Sequence, residues 1–262
     1  MPLDYITHNR KLRGKNLTKF YTLEQINQMV QDETFFDIYI GDYILYKDPS
    51  LEKPTKWVVG GINTWKRTLV TPSVTESNFY YTKSNHLIMI ADECETQLIG
   101  EKALNIQGLY GFSGSEVFST LSSIKDTLFP SEYALDIDIK VPDRAIDRLV
   151  PRSGHQVVGR ANPANSVKIK SLFKIWNLSE QDIFGCIICS SNNQDDTLST
   201  NQLPIFELDP SFIYTSESYW LRNIANGNYM VAVNNRGMVE TGHKTTDRKY
   251  VRPYFLFGKE GN

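Results

Sequence analysis

The sequence predicts a mixed α+β fold of short antiparallel strands, two main helices and long loops. Three observations carry that reading. Apolar and polar residues alternate over short runs, most clearly where Tyr133, Leu135, Ile137, Ile139 and Val141 interleave with Ala134, Asp136, Asp138 and Lys140, as in half-buried strands. Two stretches carry apolar residues at helical spacing behind a capping residue. Polar stretches at 68–85, 142–166 and 190–201 separate these elements, and loops of that length in a compact domain are usually functional or flexible.

Taken in order, residues 1–20 are polar and basic, with Arg10, Lys11, Arg13, Lys15 and Lys19 close together. This stretch reads either as a solvated arm or as one that docks on a partner subunit. In the second case Arg10, Arg13 and Lys15 supply charge and Leu12, Leu17 and Phe20 the apolar contact. Thr22-Leu23-Glu24-Gln25 has the form of a capping box, so a helix is expected from Leu23 to Gln31 with Leu23, Ile26, Met29 and Val30 on one face. The arm and this helix (1–33) form one unit and 34–262 the main domain.

A strand pair bent at Gly41-Asp42 is expected over Phe36–Tyr46, then strands over Trp57–Trp65 and His86–Ile90. Gly60-Gly61 within the second marks a bulge or a close backbone approach. Gly108 to Gly114 is glycine-rich but lacks the lysine of a phosphate-binding loop. It reads as a turn before a helix capped by Ser115, with Val117, Phe118, Leu121, Ile124 and Leu128 facing the core. Ser179 caps a short helix through Phe184. Cys186 and Cys189 form a C-x-x-C without a second ligand pair, so zinc is not indicated. Their apolar surroundings predict buried core cysteines. Asp136 and Asp138 on one strand face read as solvation more readily than as a cation site.

The last forty-odd residues organise the chain. Tyr219-Trp220-Leu221-Arg222, Tyr229 to Asn234 and Gly237 to Glu240 are strand-like, and Asn234-Asn235-Arg236-Gly237 supplies a hairpin turn. Arg252-Pro253 belongs at a strand start or an edge, because proline cannot donate to a ladder. An aromatic-rich closing strand over Val251–Phe255 then returns the chain to the core.

These residues also carry a resemblance, together with Tyr39-Ile40-Gly41-Asp42-Tyr43, Trp57-Val58-Val59, His86-Leu87-Ile88-Met89, Leu178-Ser179-Glu180 with Phe184-Gly185, and Gln202-Leu203-Pro204-Ile205-Phe206. Their order over residues 35–258 resembles a domain family of uncharacterised function common in phages and prophages of Gram-positive bacteria. That family is similar to the C-type-lectin-like and formylglycine-generating-enzyme (sulfatase-modifying factor) folds. The resemblance implies a C-type-lectin-like fold and a virion structural protein, as a head decoration, fibre or tail component with a role in host adhesion. Its partners would then be other capsid or tail proteins and a host-surface glycan or protein, and the chain a homo-oligomer, by analogy a trimer.

The catalytic and calcium sites of those relatives do not carry over. No cysteine follows Cys189, and Trp176-Asn177-Leu178 lacks the acid of a calcium-binding strand. No enzyme activity, metal or cofactor is therefore expected. The segments chosen for recognition are Asn223–Asn228 and Glu240–Lys249, read as loops between the terminal strands, with Asn223, Asn226, Asn228, Tyr229, His243, Lys244 and Arg248 as candidate contacts. Tyrosine and asparagine suit such a surface, giving contact area and adaptable hydrogen bonds at low entropic cost.

At 262 residues the chain can bury a large core. A net charge of −2 argues against general nucleic-acid binding. No apolar run is long enough to span a bilayer, and Met1–Arg10 lacks the apolar core of a secretory signal. Synthesis in a host cytoplasm and release in a particle fit that pattern. The runner-up is a free carbohydrate- or protein-binding module of bacterial origin.

Overall fold

In the computed structural model, residues 5–66, 84–104, 115–136, 139–141, 150–152, 155–157, 167–169, 174–186, 188–189, 202–226 and 229–259 are described. The glycine-rich stretch 108–114, Asp138, Asn228 and most of the three long loops lie outside them.

The chain begins with a one-turn helix α1 (Tyr5–His8), α2 (Leu23–Gln31), and strands β1 (Tyr43–Tyr46), β2 (Thr55–Ile62), β3 (Leu87–Ala91) and β4 (Lys102–Ala103). Helix α3 (Glu116–Leu128) is followed by β5 (Ile139–Val141), β6 (Val150–Arg152), β7 (His155–Val157), β8 (Val167–Ile169) and β9 (Trp176–Asn177). Short helices α4 (Glu180–Phe184) and α5 (Pro204–Leu208) precede β10 (Tyr219–Asn226), β11 (Tyr229–Val233), β12 (Val239–Lys244), β13 (Arg248–Lys249) and β14 (Pro253–Phe257). The fold is α+β, with few helices and antiparallel sheets.

The centre is a five-stranded sheet of order β1-β2-β3-β14-β9. The closing strand does return to the core: all of Pro253–Phe257 is buried, between β3 and β9. Pro253 is its first residue, where a missing N–H costs least. Helix α3 packs on the sheet through an edge-on contact of Phe118 with Trp176, and Phe129 just beyond it meets Trp57, which also stands edge-on to Phe255 within the sheet. The Trp57 indole N–H donates to the Leu128 carbonyl at 2.9 Å. The register of β2 shifts between Val59 and Gly61, where a Cβ on Gly60 would run into the Ile90 side chain. That is the close approach the glycine pair anticipates.

Capping chemistry sets the helix bounds as expected. Thr22 and Gln25 exchange both capping-box bonds. Ser115 accepts from Phe118 N–H, and Ser179 and Asp182 close a second box. Three expectations need correction. Phe35–Asp37 is a 3-10 turn rather than the first half of a strand pair, because Asp37 turns back to meet Arg13. Ser131–Tyr133 is likewise a 3-10 turn, and among the described residues of the run read as one strand, Ala134, bridged to Phe257, and β5 are strand-like. Cys186 is exposed and Cys189 half-buried, because Gly185 ends α4 at φ 75 and turns the chain outward.

His86 is a satisfied core residue, fully buried at the head of β3. Trp65 N–H donates to its Nε2 at 3.3 Å. The ring proton therefore sits on Nδ1 and donates to the Ser84 carbonyl at 3.1 Å. Burial, with help from nearby Lys66, lowers its pKa to about 4.

Candidate recognition surface

The terminal hairpins form a separate three-stranded sheet, β10-β11-β12. Asn234 makes the turn between β11 and β12: its side-chain oxygen accepts from Arg236 and Met238 N–H at 2.9 and 3.1 Å. Gly237 follows at φ 73, a backbone open to glycine. Strand β10 is buried at Tyr219–Asn223 and Ala225, and β11 from Met230 to Val233. The outermost strand, β12, is half-buried or exposed along its length.

Of two buried arginines, Arg222 fixes this sheet to the centre, and Arg252 ties the central sheet to the 3-10 turn Pro210–Ile213. Arg222 on β10 donates through Nη1 to Asp182 (2.9 Å), to the Asn177 carbonyl (2.6 Å) and to the Tyr254 hydroxyl (3.2 Å). Arg252, just before β14, donates to the carbonyls of Ala91, Phe212 and Asp92 at 2.9, 2.6 and 3.1 Å. Its guanidinium lies 4.3 Å from the Phe212 ring centroid. The planar Arg252 fork serves three carbonyls at once, a geometry lysine cannot reproduce. Sequence reading missed both roles. The only signal was an arginine inside each of two otherwise apolar runs.

The candidate contacts divide accordingly. Asn223 is not at the surface: it is 1% exposed, and its side-chain oxygen accepts from Glu180 N–H at 2.7 Å. The segments read as loops are largely strands, since β10 runs to Asn226 and β12 spans Val239–Lys244. Asn226 pairs through its backbone with Tyr229. Tyr229 faces Lys244 across the β11–β12 ladder, and Met230 faces His243.

The fold thus brings Tyr229 (38% exposed), His243 and Lys244 to one end of the outer sheet. His243 Nε2–H donates to Glu240 at 3.1 Å, and Nδ1 lies 3.8 Å from Asp247. The ring stands edge-on to Trp220, 6.1 Å between centroids. Asn234 donates to the other Glu240 oxygen at 2.7 Å, and this bond, helped by His243 against partial burial, lowers the Glu240 carboxyl from its ordinary value. At the opposite end of the sheet, Tyr214 and Met238 are the exposed apolar side chains. Arg248 stands apart on β13, donating to the Glu101 carbonyl at 2.8 Å.

The N-terminal segment lies along the domain. Leu12 and Asn16 bridge Ile40 and Tyr43 in parallel, which covers part of the β1 edge. Arg13 pairs with Asp37 at 2.9 Å and with the buried Asp42 at 2.6 Å. Lys15 pairs with Asp37, and Leu17 is fully buried. Partial burial pushes the Asp37 carboxyl up, but hydrogen bonds from Lys15, Tyr21 and Arg13 overcome this and hold it well below the usual range. Arg13, Lys15 and Leu17 therefore serve their own domain. Arg10, Leu12 (46% exposed) and Phe20 (63%) face outward.

A cleft of about 680 Å³ lies between residues 50–57 and 91–98, floored by Leu128 and Pro253. Its polar groups largely satisfy one another. Gln97 exchanges two hydrogen bonds with the Lys53 backbone, Glu95 accepts from three successive amides, and Lys56 pairs with Asp92 at 3.1 Å. The cleft reads as a strapped loop pair rather than a waiting site. No family model, curated protein or solved structure matches this chain.

Proposed function

We propose that this chain is a non-catalytic virion structural protein whose lectin-like domain presents the outer face of the β10–β12 sheet for adhesion to a host-cell glycan or protein. It works in a homo-oligomer alongside other head or tail proteins. The observation that carries the reading is the contrast across one small sheet. Its inner strands are sealed, and Arg222 anchors them, while its outer strand leaves Thr241, Gly242 and Lys244 exposed beside Tyr229. A rigid base under exposed tyrosine and polar groups lowers the entropy lost on binding. The motif order that resembles the phage family supports the virion setting, and the outward-facing Arg10, Leu12 and Phe20 supply a surface for a neighbouring subunit.

Immunogold electron microscopy on particles from the source lysate, with antibody to the purified protein, tests this. Gold on tail tips makes the chain an adhesin, and gold over the head makes it a decoration protein. Bare particles overturn the virion reading and bring forward a free binding module.

A further inference from the structure

Cys94 is buried, whereas Cys186 is exposed and Cys189 half-buried against the core, at C-x-x-C spacing. Helix α4 ends at Gly185. Four residues on, Cys189 N–H donates to the Glu180 carboxylate at 2.6 Å, at the first residue of that helix. Cys189 is thus held by its amide beside the start of α4, while Cys186 follows its end. The C-x-x-C spacing keeps the two thiols, three residues apart in sequence, at high effective concentration.

We infer that Cys186 and Cys189 form a thiol–disulfide exchange site, with Cys186 as the attacking thiol, Cys189 as the resolving thiol and a low-molecular-weight disulfide as the oxidant. Cys186 is the solvent-open member. Its thiolate attacks one sulfur of glutathione disulfide, forms a mixed disulfide and releases one glutathione thiolate. Cys189 then gives its proton to solvent, attacks the Cys186 sulfur and expels the second glutathione thiolate. Two protein thiols are oxidised and one external disulfide is reduced to two thiols. Burial and the nearby Glu180 carboxylate push the Cys189 thiol up, which keeps it from leading the exchange.

The closed pair would staple the turn that reaches Glu180. The Glu180 amide in turn donates to Asn223 on β10, at the base of the outer sheet. A chain that leaves a reducing cytoplasm meets conditions that favour closure, yet the chemistry itself does not rest on the function proposed above.

The test is intact-mass analysis of the full chain after excess glutathione disulfide at mildly alkaline pH, followed by alkylation. The wild-type chain should lose two alkylatable thiols, carry no glutathione and recover both thiols with dithiothreitol. Cys189→Ser should accumulate one glutathione, and Cys186→Ser should react at least about tenfold more slowly. Cys94 should be alkylated only after unfolding. A wild-type chain that keeps both thiols, or stops at a glutathione adduct, overturns the site. Equal rates in the two variants overturn the assignment of roles.

Discussion

Two arginine–aspartate pairs hold the two ends of this chain, and their surroundings differ. At the N-terminus the Arg13 side chain is 29% exposed and spans Asp37 and Asp42. At the C-terminal sheet the Arg222 side chain is 1% exposed and its partner Asp182 fully buried. The same chemistry does different work in the two places. Water shares the Arg13 and Asp37 end of the first cluster, and the buried Asp42 keeps its bonds from the Lys15 and Tyr39 amides when Arg13 is removed. Removing one member of the second strands a charge in the core. The N-terminal segment is thus pinned at modest strength, and the sheet base is fixed firmly.

The largest expected effect is therefore at the buried pair. Arg222→Met should cost about 3–5 kcal/mol in urea unfolding, enough to leave a marginal domain unfolded. A loss below about 1 kcal/mol would show that Asp182 finds water when its partner leaves.

His86 sharpens the comparison, because it is buried neutral rather than paired. Its folded pKa is about 4, against roughly 6.5 in an unfolded chain. Its contribution is fully present above the unfolded value and is lost as pH falls from there toward the folded one. About 3 kcal/mol should go across that window, and a His86→Gln chain should show a flatter pH profile.

Arg13→Ala should cost less, about 1–2 kcal/mol, since only part of its hydrogen bonding is sealed from water. Added salt should narrow the gap between that variant and the wild-type chain, and should leave the Arg222→Met gap unchanged. Equal salt sensitivity of the two would remove the distinction between the ends.

Much of the frame was legible because local chemistry decided it. Thr22, Ser115 and Ser179 announced three helix starts, Asn234 and Gly237 announced the terminal turn, and Pro253 opened its strand as proline requires. The roles of Arg222, Asn223 and Arg252 were hidden. Their partners are carbonyls, amides and a carboxylate from about 40 to 160 residues away in sequence, and no local pattern encodes such pairings. Asn223 was misplaced for a related reason. Tyr219 to Asn223 is buried throughout, so alternation says nothing about which side chain meets water. Cys186 was misread because its apolar neighbours Ile187 and Ile188 suggested a buried core cysteine, whereas Gly185 had already turned the chain outward. Tyr229, His243 and Lys244 were placed at one surface by strand register, which the hairpin turn fixed.

The smallest effect on stability should come from the outer sheet, where recognition is placed. The measurement is cell-surface binding by the wild-type chain and by a Tyr229→Ser, Lys244→Ser double variant, with urea unfolding of both. Stability should stay within about 0.5 kcal/mol per substitution, and binding should fall at least about tenfold, the loss of one tyrosine-class anchor. Unchanged binding by an equally stable variant would contradict that placement and move recognition away from this sheet.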